Sequence, residues 1–178
     1  EGAIEKEGKL KEVQEKIEKY KDLSVEEKGK YFQEVNDILG GHIRLLVSGA
    51  AALDSHIEAK YREMGLNLVQ GYGLTETAPI SALTPEYKTT VGSVGKAVVG
   101  ADIIIDNPNE NGEGEILIKS PTLMLGYYQD EAETNKAIRP DGYFHSGDVG
   151  YMDKDGFIYI TGRSKNVIVT QNGKNIYP

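Results

Sequence analysis

The chain has 178 residues, 20 basic and 28 acidic, with a formal net charge of −8 and no Cys. At ~150 residues per domain this is about one domain's worth of chain, long enough to bury a core, and 39% hydrophobic with 27% charged residues excludes a disordered composition. The acidic excess argues against nucleic acid, whose binders cluster Lys and Arg to displace counterions, and zero Cys removes disulfides, thiolate zinc sites and thiol nucleophiles. Leu10, Val13, Ile17 and Tyr20 then fall at helical spacing, with Glu12/Lys16 and Glu15/Lys19 as pairs four apart, so residues 9–20 are expected as an amphipathic helix. Ser24 and Glu27 form a capping-box pattern, and Tyr31, Phe32, Val35, Ile38 and Leu39 continue an apolar stripe until Gly40-Gly41 stops it. Residues 43–47 read as a buried strand, Asp54 caps a helix carrying Ile57, Tyr61 and Met64, Gly65 ends it, and residues 67–70 start a second strand. Such a strand, helix, strand unit binds its ligands at the strand ends, here after Val47 and after Gln70.

From about Val91 helices nearly vanish and turns take over, at Asn107 to Gly114, Asp141-Gly142 and Asp153 to Gly156. Between them residues 101–105, 115–119 and 157–161 are short runs rich in β-branched and aromatic residues. The expected fold class is α/β: a helical segment over 1–40, the end of a parallel-sheet α/β subdomain over 41–90, and an antiparallel, β-barrel-like subdomain over 91–162. No apolar run approaches the roughly 18 residues of a membrane-spanning helix and no secretory leader is read, so a cytoplasmic protein is expected. The chain begins at Glu1 rather than Met, and a piece of something longer is expected.

Several motifs fail on spacing. Asn107, Asn109, Asn111 and Gly112 resemble a calcium loop, but Ile118 stands where the bidentate Glu belongs. Ser48-Gly49 lacks the first Gly of a nucleophile elbow, Leu46 taking its place. His145, Ser146 and Asp148 hold the letters of a triad, yet adjacent strand side chains point to opposite faces. His42 and His56 are isolated from other metal-ligand types. Four segments survive, each a common structural turn when taken alone. In Gly71-Tyr72-Gly73-Leu74-Thr75-Glu76-Thr77 the glycines let backbone amides approach a phosphate, Thr75 offers a hydroxyl donor, and Glu76 is a hard oxygen ligand suited to Mg²⁺. The small residues of Ser48-Gly49-Ala50-Ala51-Ala52-Leu53 make room for a flat ring, and in His145-Ser146-Gly147-Asp148 a carboxylate beside Gly can accept from two vicinal hydroxyls. The fourth is Gly162-Arg163-Ser164-Lys165.

The succession SGAAAL, GYGLTET, GEILIKSPTLMLGYY, GYFHSGD and GRSKNVIVTQNGKNIYP resembles the adenylate-forming enzymes of the acyl-CoA synthetase, luciferase and peptide-synthetase type, most of all their long-chain fatty acid–CoA ligase branch. The resemblance runs in order from about Gly41 to Pro178, and the first forty residues match only loosely. It implies that Gly49, Ala50 and Ala51 line the adenine side of a nucleotide pocket, that the Gly71-Tyr72-Gly73 turn packs the Tyr72 ring against the base, that Thr75 holds the α-phosphate, and that Glu76 holds Mg²⁺. Asp148 is expected to take both ribose hydroxyls, with Arg163 on the ribose or phosphate from the other wall and Ile160 packing nearby. Residues 163–178 are expected as the hinge, at Lys165, and the start of a truncated C-terminal domain, with Gly173 near the entering thiol. Thr77-Ala78-Pro79-Ile80 is expected to help shape the acyl pocket.

The reaction so implied is that of an AMP-forming acid–thiol ligase: ATP and a fatty acid give acyl-AMP and pyrophosphate, and the acyl group passes to coenzyme A. Ser146 stands where Thr is more usual. Neither a Ser/Thr/Gly-rich phosphate loop ending in Pro-Lys nor a catalytic C-terminal lysine is read in the chain, so a central fragment, nearly inactive alone, is expected. The alternatives are a non-catalytic nucleotide- or partner-binding module and part of an amino-acid-activating adenylation domain. A fatty substrate invites peripheral membrane association, although no anchor is read in this segment.

Overall fold

A computed structural model describes residues 2–51, 53–86, 90–163, 168–169 and 175–176. The chain forms two compact units, one made of residues 1–47 and 54–68 and the other of residues 48–53 and 69–178.

The first unit is helical. α1 (Gly2–Lys19) covers the expected amphipathic stretch, and Ser24 caps α2 (Val25–Gly29) in the anticipated capping box with Glu27. The single apolar stripe expected to run on to Leu39 is instead broken into α2 and α3 (Gln33–Ile38). The break coincides with a close approach of two backbones, since a Cβ on Gly65 would lie 2.2 Å from the Gly29 nitrogen. The turn between α2 and α3 places Tyr31 on Tyr20, rings 3.9 Å apart, and buries Phe32 under Lys16. α4 (Ser55–Glu63) starts at Asp54, whose carboxylate accepts from the His56 amide at 2.7 Å, and it stops at Gly65, as expected.

Two strands lie where the chain passes between the units, β1 (Leu46–Ser48) and β2 (Leu68–Tyr72). β2 runs antiparallel to β3 (Ala82–Leu83), which pairs with β4 (Lys96–Ala97), giving a mixed sheet in the order β1-β2-β3-β4. In the second unit a meander of β5 (Asp102–Asp106), β6 (Gly114–Lys119), β7 (Phe144–Met152) and β8 (Ile158–Arg163) forms a separate antiparallel sheet. The α/β class with a following antiparallel unit is therefore as expected, and among the described residues the second sheet is open rather than closed into a barrel. A helix intervenes where none was expected, α5 (Glu131–Ala137), which buries no side chain. β9 (Ile168–Val169) and β10 (Asn175–Ile176) pair with each other.

The core of the second unit gathers Tyr72, Ala82, Ile103, Ile116, Ile118 and Ile158. Burying each of these isoleucines contributes roughly 1.5–3 kcal/mol, and the consequence for function is positional. β2, which delivers Tyr72, is fixed against the same apolar cluster as β6 and β8, which flank β7 in their sheet. Val94 and Ser93 tie this arrangement together by donating to the Ile158 carbonyl, each at 2.9 Å.

Candidate nucleotide site

Three of the expected residues meet directly. β2 ends at Tyr72, whose hydroxyl donates to Asp148 Oδ2 at 2.7 Å, and Arg163 Nε donates to Asp148 Oδ1 at 2.8 Å. Asp148 and Arg163 are cross-strand partners on β7 and β8, so the register itself brings the pair together. Asp148 is only 4% exposed, whereas the Arg163 side chain is 60% exposed. A buried charge requires partners, and this carboxylate has one donor on each oxygen. A carboxylate offers about four lone-pair sites, so each oxygen retains capacity for a further donor. Burial pushes the Tyr72 phenol far above its ordinary range and the Asp148 charge adds to the shift, partly offset by the Ser146 hydroxyl and Arg163. Tyr72 is therefore a fixed neutral donor.

Asp148 projects from an irregular stretch of β7. Glu115 pairs with Val149 and Leu117 with His145, so Ile116 alone stands opposite Ser146, Gly147 and Asp148. Ser146 Oγ donates to the Ile116 carbonyl at 2.6 Å and accepts from the Asp148 amide at 3.0 Å. His145 Nδ1 lies 2.9 Å from Glu115 Oε2 and the Ser146 hydroxyl is spent on the Ile116 carbonyl, so the letters of a triad form none, as expected.

The segment after Tyr72 is held largely by its own polar groups. Thr75–Thr77 form a short 3₁₀ turn, the Ser81 amide donates to the Tyr72 carbonyl at 2.7 Å, and the Leu74 amide donates to Thr77 Oγ1 at 3.0 Å. Thr77 and Ser81 are buried and joined through their hydroxyls at 2.9 Å. The Thr77 side chain is thus committed inside the loop, while Ala78, Pro79 and Ile80 are exposed. Gly73 has a structural reason beside the phosphate one, because a Cβ there would lie 2.0 Å from the Pro79 carbonyl oxygen. Ala78 adopts left-handed backbone at φ 52°, and Ala50 does so at φ 67°. Non-glycine residues held there are strained, and such strain concentrates at ligand sites.

Thr75 is exposed and Glu76 half-buried. Glu76 Oε1 accepts from the Tyr127 hydroxyl at 3.0 Å, its carbonyl accepts from the Met124 amide at 2.8 Å, and Thr122 Oγ1 donates to the Thr77 carbonyl at 3.0 Å. The loop leading to α5 therefore braces the Thr75–Thr77 turn, with Tyr127 anchored through its amide to Thr134 of α5 at 2.8 Å. Tyr127, Thr122 and Glu115 carry no periodic signal. Only their place inside the GEILIKSPTLMLGYY motif pointed to them.

Gly49 and Ala51 are exposed beside the strained Ala50, and a Cβ on Gly49 would sit 3.4 Å from the Gly71 carbonyl. Ile160 packs against the core cluster that contains Tyr72. Lys165 and Gly173 lie outside the described residues. Among the described residues no cluster of three or more His, Cys, Asp or Glu forms a metal site. A lone Glu76 fits Mg²⁺ all the same, since this ion is commonly held by one or two carboxylates together with substrate phosphates and water.

Comparison with known proteins places this geometry in a family. The model of the AMP-binding enzymes matches residues 8–128. A long-chain-fatty-acid–CoA ligase, FadD15, from Mycobacterium bovis is 39% identical over 147 residues, which are 83% of this chain and 24% of the relative. A probable 4-coumarate–CoA ligase 3 from Dictyostelium discoideum is 44% identical over 135 residues, 71% of this chain and 24% of the relative. Among solved structures, the O-succinylbenzoate coenzyme A synthetase from Bacillus subtilis in complex with ATP and magnesium ion superposes with a TM-score of 0.68 at 30% identity, covering 76% of this chain and 30% of that one. This chain belongs to the AMP-binding enzyme family. It spans about a quarter of the length of these two curated relatives.

Proposed function

We propose that residues 48–163 supply the mononucleotide-holding part of an ATP-dependent acyl-CoA ligase that activates a fatty acid as acyl-AMP and transfers it to coenzyme A. The observation that carries the reading is Asp148, a buried carboxylate held by Tyr72 and Arg163 with one lone-pair site left on each oxygen for a vicinal diol. In this reading Asp148 accepts from the two ribose hydroxyls and Arg163, with its exposed guanidinium, reaches the ribose or the α-phosphate. Gly49, Ala50 and Ala51 border the adenine, with Gly71, Tyr72 and Gly73 forming its other edge and Ile160 packing behind. Thr75 donates its hydroxyl to the α-phosphate and Glu76 holds Mg²⁺.

The chemistry asks for orientation and charge neutralisation rather than a protein nucleophile. A carboxylate approaching an α-phosphorus meets like charge, which fixed donors such as Thr75 and Arg163 offset. Mg²⁺, when bound at Glu76, supplies Lewis-acid neutralisation of phosphate charge. Buried Asp148 orients the sugar and thereby the phosphate chain, while Tyr72 keeps that carboxylate from swinging. Two kinds of relative support the acyl-CoA ligase class, one named for long-chain fatty acids and the other for 4-coumarate. The fatty-acid assignment rests on the motifs of that branch and on the relative from Mycobacterium bovis.

The test is pyrophosphate exchange by the ligase that carries this segment, assayed with acids of graded chain length and with 4-coumarate. Exchange dependent on long-chain acids, and abolished by Glu76→Ala and by Asp148→Ala, is expected. Exchange unchanged in both variants refutes the assigned roles, and exchange with 4-coumarate alone refutes the fatty acid.

A further inference from the structure

Asp148 can hold a diol only if its backbone is fixed, and it stands at the end of a stretch where β7 departs from regular pairing. Three residues, Ser146, Gly147 and Asp148, oppose the single Ile116. Extra residues of this kind interrupt the regular ladder with the neighbouring strand and bend the chain. Two side chains bond to this stretch. Ser146 binds the Ile116 carbonyl and the Asp148 amide, and Glu115 Oε1 accepts from the Gly147 amide at 3.0 Å. The other oxygen of Glu115 is 2.9 Å from His145 Nδ1. One carboxylate thus spans the strand on both sides of Ser146. Gly147 sits at φ 73°, a conformation that L residues adopt at a cost and glycine adopts freely.

We infer that Glu115 is a positioning residue for nucleotide binding, which clamps the Gly147 amide and so sets the carboxylate of Asp148 at the spacing of the two ribose hydroxyls. The inference rests on the ribose role proposed for Asp148. Glu115 touches neither Asp148 nor Tyr72 in the hydrogen-bond network, and its action passes through the backbone of residues 147 and 148. Its side chain is 27% exposed, so it works from the edge of the site and is accessible to substitution without opening the core. A general structural role for Glu115 would weaken binding of any nucleotide equally. A positioning role weakens only what depends on the sugar hydroxyls.

The experiment measures binding of AMP and of 2′,3′-dideoxy-AMP by calorimetry in the ligase that carries this segment, for wild type, Glu115→Ala and Glu115→Gln, with hydrogen exchange followed at the Gly147 and Asp148 amides. Wild type is expected to favour AMP, Glu115→Ala to lose about 10-fold or more of that preference while dideoxy-AMP binding stays the same, and its Gly147 amide to exchange faster, the scale being that of a hydrogen bond to a charged group. Glu115→Gln keeps an acceptor oxygen and is expected to retain most of the preference. If the alanine variant does not fold, Glu115→Met, which keeps the length without the oxygens, takes its place. A preference that survives loss of the oxygens, or that disappears equally in the glutamine variant with Gly147 exchange unchanged, overturns the clamp. Wild type that fails to bind AMP, or binds both nucleotides alike, overturns the ribose role of Asp148 on which the clamp depends, and that result is separate because it appears before any substitution.

Discussion

Replacing Tyr72 by Phe removes one oxygen from the middle of the proposed site and leaves the ring in its core. Tyr72 is 8% exposed and Asp148 4%, and their oxygens are 2.7 Å apart, so the bond is charge-assisted and shielded from water. A hydrogen bond to a charged group contributes roughly 1.5–3 kcal/mol. Arg163 remains on the other oxygen at 2.8 Å, but its side chain is 60% exposed and its pairing is screened by solvent. The expected loss for Tyr72→Phe is therefore about 2 kcal/mol, read from urea denaturation followed at resonances of β7. Pairing the change with Asp148→Ala separates the bond from the burial of each group. Asp148→Ala alone strands a buried hydroxyl, whereas the double variant strands nothing, so it should be less destabilised than the sum of the singles by about 1.5–3 kcal/mol. A single-variant loss below about 0.5 kcal/mol, together with a coupling indistinguishable from zero, would mean that the contact contributes no stability and that Tyr72 does not hold Asp148.

The same residue sets a response to alkali. In the unfolded chain Tyr72 ionises near the ordinary phenol value of about 10, while burial keeps it protonated in the fold, so stability falls as pH rises above that value by up to about 1.4 kcal/mol per unit. Tyr72→Phe should lack this component, and parallel stability curves for the two proteins between pH 9 and about 11.5 would refute it. Gly73→Ala should destabilise the second unit by about 2 kcal/mol or more in the same denaturation assay, because its Cβ would lie 2.0 Å from the Pro79 carbonyl oxygen; an unaffected variant would mean the loop is not closed as described. Gly8→Ala is its opposite: nothing lies within 4 Å of a Cβ there, so helicity by circular dichroism should rise, by about 1 kcal/mol of helix propensity. Asp54→Ala should cost about 1 kcal/mol through loss of the cap on the His56 amide, seen as faster exchange in the first turn of α4.

What the sequence made legible divides along a physical line. Helix caps and stops are local signals, and Ser24, Asp54 and Gly65 act in the fold as their neighbours in the sequence predict. The break between α2 and α3 was not legible, because it goes with a contact between Gly29 and a residue 36 positions away, Gly65. α5 has the composition Glu-Ala-Glu-Thr-Asn-Lys-Ala and buries nothing, so it carries no apolar period; its stability comes from Asp130 capping the Glu133 amide and from Thr134. β7 is not legible as a nine-residue strand because His145 to Gly150 alternate poorly and include two glycines. That irregularity carries Asp148 of the proposed site, which is why period alone does not find it. The convergence of Tyr72, Asp148 and Arg163 came from ordered motifs, whereas the bonds joining them needed the register of β7 and β8.

Those bonds also change what the motif letters mean. Gly73 reads as a phosphate-facing glycine, yet the fold already demands it for the approach to Pro79. Thr77 reads as a contributor to an acyl pocket, yet its hydroxyl serves Leu74 and Ser81. Ser146 reads as a mild change from Thr, and the structure uses only the hydroxyl that the two residues share, on the Ile116 carbonyl and the Asp148 amide. Ser146→Thr should therefore leave nucleotide binding unchanged. Ser146→Ala should free the Asp148 amide and weaken AMP by about 10-fold, on the scale of one lost bond at a charged site. The contrast between the two variants, measured by calorimetry with the same ribose and dideoxyribose pair, isolates the hydroxyl from the methyl; equal affinities in Ala and wild type would place the ordering of Asp148 entirely on Tyr72, Arg163 and the Glu115 clamp.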